Sequence, residues 1–113
     1  MKATITAIGG FVPNSILSNE MISRMVDTTE DWIIKRTGIK ERRLATDENL
    51  ATSDLASAAI ENLLDTYEID RLEIDGLVLA TATPDHLLTP TASKVCELSG
   101  FTNASISSPN GQA

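Results

Sequence analysis

The chain has 113 residues, 42% of them apolar, and carries a net charge of −7. That length allows one small domain and no more, and the composition excludes disordered and collagen-like classes. So acidic a chain is a poor nucleic-acid binder, and a single cysteine, Cys96, rules out an intrachain disulfide.

The N-terminus, Met1-Lys2-Ala3-Thr4-Ile5-Thr6, lacks the apolar core of a signal peptide, and no apolar run reaches the length of a membrane span. Together with the lone thiol this points to a soluble protein of a reducing, cytoplasmic compartment. In chain order, Ala3–Ile8 alternates as a strand does, Gly9-Gly10 ends it, and Pro13-Asn14-Ser15 marks a turn. Ser18 caps a helix whose apolar positions are Met21, Ile22 and Met25. Thr28 is a second cap, with Glu30 and Asp31 in the first turn, and Gly38 is the stop. Residues 40–51 are polar and read as a loop.

Thr52 or Ser53 caps the longest helix, with Leu55, Ala59, Leu63 and Tyr67 in one stripe flanked by Ala56, Ile60 and Leu64. Ile69 to Asp75 is short and mixed. Gly76–Ala82 is a continuous apolar run bounded by turn residues, the pattern of a strand buried on both faces of a parallel sheet. Thr83-Pro84-Asp85-His86 is a loop, Pro90 opens another helix to about Leu98, and Gly100 stops it. Ala104–Ser107 is a third strand and Ser108–Ala113 an irregular tail. Strands alternating with helices predict an α/β fold with a mostly parallel sheet, residues near 3–9 and 76–82 being neighbouring buried strands.

The densest chemistry lies in Val26–Arg42. It holds the only tryptophan, and Lys35, Arg36, Lys40, Arg42 and Arg43 are five of the nine basic residues. On a helix, Thr28, Trp32 and Arg36 are each four apart and share a face, while Ile33 and Ile34 can anchor to a core. A flat ring beside a guanidinium can stack on a base and grip a phosphate. The plainer readings are a core aromatic and a surface ion pair from Arg36 to Glu30 or Asp31.

The pattern Asp27-Thr28-x-x-x-Trp32-Ile33-x-x-Arg36-Thr37-Gly38-Ile39-x-x-Arg42 resembles the N-terminal signature of β-ketoacyl-acyl carrier protein synthase III, a thiolase-fold condensing enzyme family. Ile8-Gly9-Gly10 with Val12-Pro13, and Asp75 to Asp85, resemble its opening strand and its central strand with the following loop. The resemblance covers residues 1–104. It implies that residues 1–113 form a partial N-terminal thiolase-like half with a mostly parallel central sheet flanked by helices, 103–113 being an atypical tail.

The resemblance further implies that Trp32 stacks on the adenine of coenzyme A, Thr28 bonds nearby, and Arg36 grips the phosphate or pantetheine end. Acyl-coenzyme A is then a substrate, with no cofactor, and acyl carrier protein a partner of the full enzyme, which joins acyl-coenzyme A to malonyl-acyl carrier protein. The family's nucleophilic cysteine is expected near position 113, in a motif A-x-D-x-x-A-A-C-x-G that Ala104–Ala113 does not carry. Its histidine and asparagine are expected further on. Cys96 reads as a small buried hydrophobe and His86, the only histidine, as a loop or subunit-contact residue. No ligand spacing suggests a metal. The chain alone is therefore expected to be non-catalytic, and to form a homodimer or associate with the missing portion. The alternative is a truncated interaction module that pairs with another chain.

Overall fold

The computed structural model describes residues 1–46 and 49–107. The expected irregular tail, Ser108–Ala113, lies outside them. The chain divides into two compact units: Val12–Leu50, and the combination of Met1–Phe11 with Ala51–Ala113.

In the first of these, strand β1 (Ser15–Ser18) runs into helix α1 (Asn19–Met25), followed by helix α2 (Glu30–Thr37) and strand β2 (Glu41–Leu44). Ser18 caps α1 as expected, its hydroxyl accepting from the Met21 N–H at 3.2 Å. Thr29, not Thr28, caps α2: its hydroxyl accepts from the Trp32 N–H at 3.2 Å. Thr28 stands one residue outside the helix, its N–H donating to the Val26 carbonyl at 2.9 Å. Gly38 ends α2 at φ +71°, a left-handed conformation that costs glycine nothing.

Residues 41–44, expected as loop, are instead a strand. β2 pairs antiparallel with β1, Ser15 opposite Leu44 and Ser18 opposite Glu41. Its charged sequence hides the pattern because guanidinium hydrogen bonds, not apolar contacts, fix it. Arg43 Nη1 donates to the Pro13 carbonyl at 2.9 Å and Arg42 Nη2 to Asn19 Oδ1 at 3.1 Å. Asn19 is the hub: it is buried, its backbone N–H donates to the Lys40 carbonyl at 3.1 Å, and its amide to the Ile39 carbonyl at 2.7 Å. Ile33 is buried, whereas Ile34, also expected to anchor α2, is exposed.

The second unit is built on helices α3 (Thr52–Tyr67) and α4 (Thr91–Ser99), with a short parallel ladder of β3 (Gly76–Val78) and β4 (Ser105–Ser107). Leu64, Cys96 and Phe101 form its core, with Ile60, Leu63, Ile69, Ile74, Leu77 and Ala104 packed around them. The stripe on α3 is thus turned slightly from expectation: Ile60 and Leu64 face inward and Tyr67 is exposed. Ala51 is the cap position rather than Thr52 or Ser53, its N–H donating to the Asp54 carboxylate at 2.9 Å. Pro90 and Gly100 bound α4, Gly100 at φ +70°.

Two strand expectations fail in this unit. Ala3–Ile8 forms no strand; no described segment pairs with it, and Ile5 and Ile8 are exposed. The run Gly76–Ala82 yields only three strand residues, since after the Leu79 N–H donates to the Ser107 carbonyl at 3.0 Å no described backbone continues the ladder. β3 is covered on one side alone. Leu77 meets the core, while Val78 on the opposite side is 69% exposed. Among the described residues, two two-stranded ladders, one antiparallel and one parallel, stand in place of the expected mostly parallel central sheet.

Candidate functional site

Helix α2 owes its existence to local signals. Thr29 satisfies an orphan N–H at its start, Glu30 and Asp31 face the positive end of the helix dipole, and Lys35 and Arg36 face the negative end. Burial of Ile33 fixes which face is turned inward. The consequence is that Trp32 and Arg36, one turn apart, lie on the surface together. Trp32 is 55% exposed, which removes the core-aromatic reading. The Arg36 guanidinium carbon sits 5.5 Å from the centre of the indole ring, within cation–π range.

The basic cluster separates into three roles. Lys35 pairs with Asp31 at 3.0 Å, an exposed i, i+4 contact of little energetic weight. Arg42 and Arg43 are spent on the β1–β2 ladder. Arg36 and Lys40 make no ion pair among the described residues, so the expected bridge from Arg36 to Glu30 or Asp31 does not form. An exposed ring with a cation already held over its face, and a second unpaired cation on the segment that follows, can receive a flat aromatic group bearing negative charge. Thr28 precedes the cap residue Thr29, so it stands before α2 rather than on it, and is half-buried.

The remaining candidates lie in the other unit. Cys96 is buried against Leu64 and Phe101, with Val95 and Ala92 of the same helix also buried, and burial pushes its thiol pKa up. A protonated, enclosed thiol is a poor nucleophile. His86 sits, as read, in the loop before α4, where it joins Asp85, Thr89, Pro90, Thr91 and Lys94 around an open groove of about 310 Å³. Among the described residues no three His, Cys, Asp or Glu side chains could hold a metal ion, and no helix is long and apolar enough to cross a membrane.

Sequence reasoning missed Asn19 and Asp85, both of which organise backbone far away in the chain. Asp85 accepts from the Ser53 N–H at 2.9 Å and from the Ser53 hydroxyl. Only its place in a turn-rich loop hinted at such a role.

No family model matches the chain. Individual proteins do. It is 50% identical over 105 residues to the β-ketoacyl-[acyl-carrier-protein] synthase III of Azobacteroides pseudotrichonymphae, covering 92% of this chain and 32% of that one. The enzyme of the same name from Phocaeicola vulgatus is 44% identical over 104 residues, covering 92% and 31%. Among solved structures, the β-ketoacyl-[acyl carrier protein] synthase III of Thermus thermophilus superposes with a TM-score of 0.82 at 39% identity, covering 94% of this chain and 32% of its own. The 3-oxoacyl-[acyl-carrier-protein] synthase III of Aquifex aeolicus gives 0.80 at 32% identity, covering 90% and 33%. The chain spans about a third of the length of these relatives.

Proposed function

Because the chain belongs to the β-ketoacyl-[acyl-carrier-protein] synthase III family and is a thiolase-like α/β fragment of it, we propose that it contributes one wall of an acyl-coenzyme A site in a condensing enzyme. That enzyme joins an acyl-coenzyme A to malonyl-acyl carrier protein and so starts fatty acid synthesis. The observation that carries the assignment is the pairing of exposed Trp32 with the Arg36 guanidinium 5.5 Å above its ring. Trp32 offers an aromatic face to the adenine. Arg36, which makes no ion pair among the described residues, supplies charge-assisted bonds to the phosphate or pantetheine end. Thr28, just before the helix, bonds at the margin of the site.

The bond-making groups are a division of labour with sequence beyond these residues. A thiolate must accept the acyl group as a thioester, and two further side chains must stabilise the enolate and oxyanion. Cys96 is enclosed, with burial pushing its thiol pKa up, and His86 lies in the groove of the other unit, so neither is assigned to the chemistry. Acyl carrier protein is the second partner. The β3–β4 ladder has only two strands among the described residues, and its outer backbone edges support extension by further strands, in a homodimer or with the rest of a larger protein.

Incubating the 113-residue chain with radiolabelled acyl-coenzyme A tests this division. Label should be lost on gel filtration under denaturing conditions, and Cys96 should remain unmodified. A denaturation-stable acyl-enzyme, at Cys96 above all, would overturn it.

A further inference from the structure

The loop from Leu79 to Pro90 has no regular structure, yet it is held at its base by hydrogen bonds to α3 and α4. Its tip is Leu87-Leu88, 89% and 97% exposed. Two residues before the tip, Asp85 uses both its backbone and its side chain. Its carboxylate accepts from the Ser53 N–H at 2.9 Å and from the Ser53 hydroxyl, and its N–H donates to Thr91 Oγ1 at 2.9 Å. Ser53 is in the first turn of α3 and Thr91 opens α4; both are buried. Next to them the Thr52 hydroxyl donates to the Thr83 carbonyl, and the Thr83 N–H donates to Thr81 Oγ1 at 3.0 Å.

We propose that Asp85 is a latch that joins the first turns of α3 and α4 and holds the Leu87-Leu88 tip in one exposed pose. The physical reason is that Ala51 has no side-chain acceptor for the start of α3, so an oxygen from 32 residues away takes the place of a local cap. The negative carboxylate also meets the positive end of the α3 dipole. Leu87 and Leu88 at a tip this exposed gain little from burial, so the segment depends on polar ties at its base, of which the Asp85 carboxylate makes two. Loss of Asp85 should free the tip and fray α3 from its N-terminus, while the Leu64–Cys96–Phe101 core stays closed.

Thermolysin cleavage at Leu87-Leu88, mapped by mass spectrometry, reads the tip; labelling of Cys96 by a thiol reagent reads the core. In the full chain, Asp85→Ala should raise the cleavage rate at least about fivefold, the loss expected for a missing helix cap. Ser53→Ala, which removes one of the two bonds, should raise it less, and Asp85→Asn, which keeps an oxygen for the Ser53 N–H, less than Asp85→Ala. Cys96 labelling should stay at the wild-type rate in all three. Unchanged cleavage in Asp85→Ala overturns the latch. If Asp85→Ala opens the core, Ser53→Ala decides: faster cleavage with Cys96 protected supports the latch, and wild-type cleavage, or cleavage rising only with Cys96 labelling, overturns it.

Discussion

Gly9 crosses α3 where a methyl group has no room. A Cβ there would lie 2.5 Å from the Leu63 Cβ and 2.8 Å from its Cα, and the neighbouring Gly10 N–H donates to Asn62 Oδ1 at 3.3 Å. The obstructing atoms belong to the helix itself, so no flexible side chain can yield. Gly9→Ala should cost about 1–3 kcal/mol, an overpacking loss, read as a lowered midpoint in chemical denaturation. An unchanged midpoint would mean that the N-terminal segment is not seated on α3. The sequence signals Gly9-Gly10 as the end of a strand; the close approach to a helix 54 positions onward leaves no local trace. Trp32 and Arg36 are the opposite case. Their spacing and the flanking Thr29 and Gly38 are local, and the helix that places them on one face follows from those residues alone. Thr28 was one residue from the true cap, because two adjacent threonines offer the same chemistry and only the backbone geometry selects between them.

Among elements, α3 and α4 were legible from apolar periodicity, although the cap of α3 is Ala51 rather than the expected Thr52 or Ser53, and each ends in a left-handed residue, Glu68 for α3 and Gly100 for α4. β2 was not, since Glu41-Arg42-Arg43-Leu44 is stabilised by guanidinium bonds to Asn19 and to the Pro13 carbonyl, which no propensity encodes. β3 was too long in expectation because an apolar run shows that a strand can be covered on both faces, not that the described chain supplies both covers. The helix pair has a comparable long-range tie. Arg71, in the 3-10 turn Arg71–Glu73, makes two bonds of 2.6 Å to the Glu61 carboxylate on α3 and one of 2.9 Å to the Ser99 carbonyl at the end of α4. Those bonds hold the Glu61 pKa below its ordinary value of 4.5 and raise that of Arg71. A depressed carboxylate contributes stability that is present above pH 4.5 and lost as pH falls through the folded value. Both groups are solvent-accessible, so the effect is modest. Thermal unfolding of wild type and Glu61→Gln should differ near neutral pH, with wild type the more stable, and converge well below pH 4.5. A gap that persists at low pH would show that Glu61 acts by packing rather than by charge.

At the scale of the whole chain, the two units carry different kinds of information. Val12–Leu50 holds the exposed ring and two cations, Arg36 and Lys40, that make no ion pair among the described residues; the other unit holds the helix pair, the enclosed thiol and the latched loop. The α/β class and the family were readable from short motifs. The sheet arrangement was not, because pairing partners are set by segments far apart in sequence. The central claim is that the α2 face binds the nucleotide end of coenzyme A. Calorimetric titration of coenzyme A into a complete enzyme carrying this segment tests it most directly, with Trp32→Ala and Arg36→Ala compared after circular dichroism shows both folded. Stacking of roughly 1–3 kcal/mol predicts that Trp32→Ala weakens binding about tenfold or more. Arg36→Ala should weaken it as well, by a factor that shrinks as salt is raised. Unchanged affinity in both variants would contradict the account.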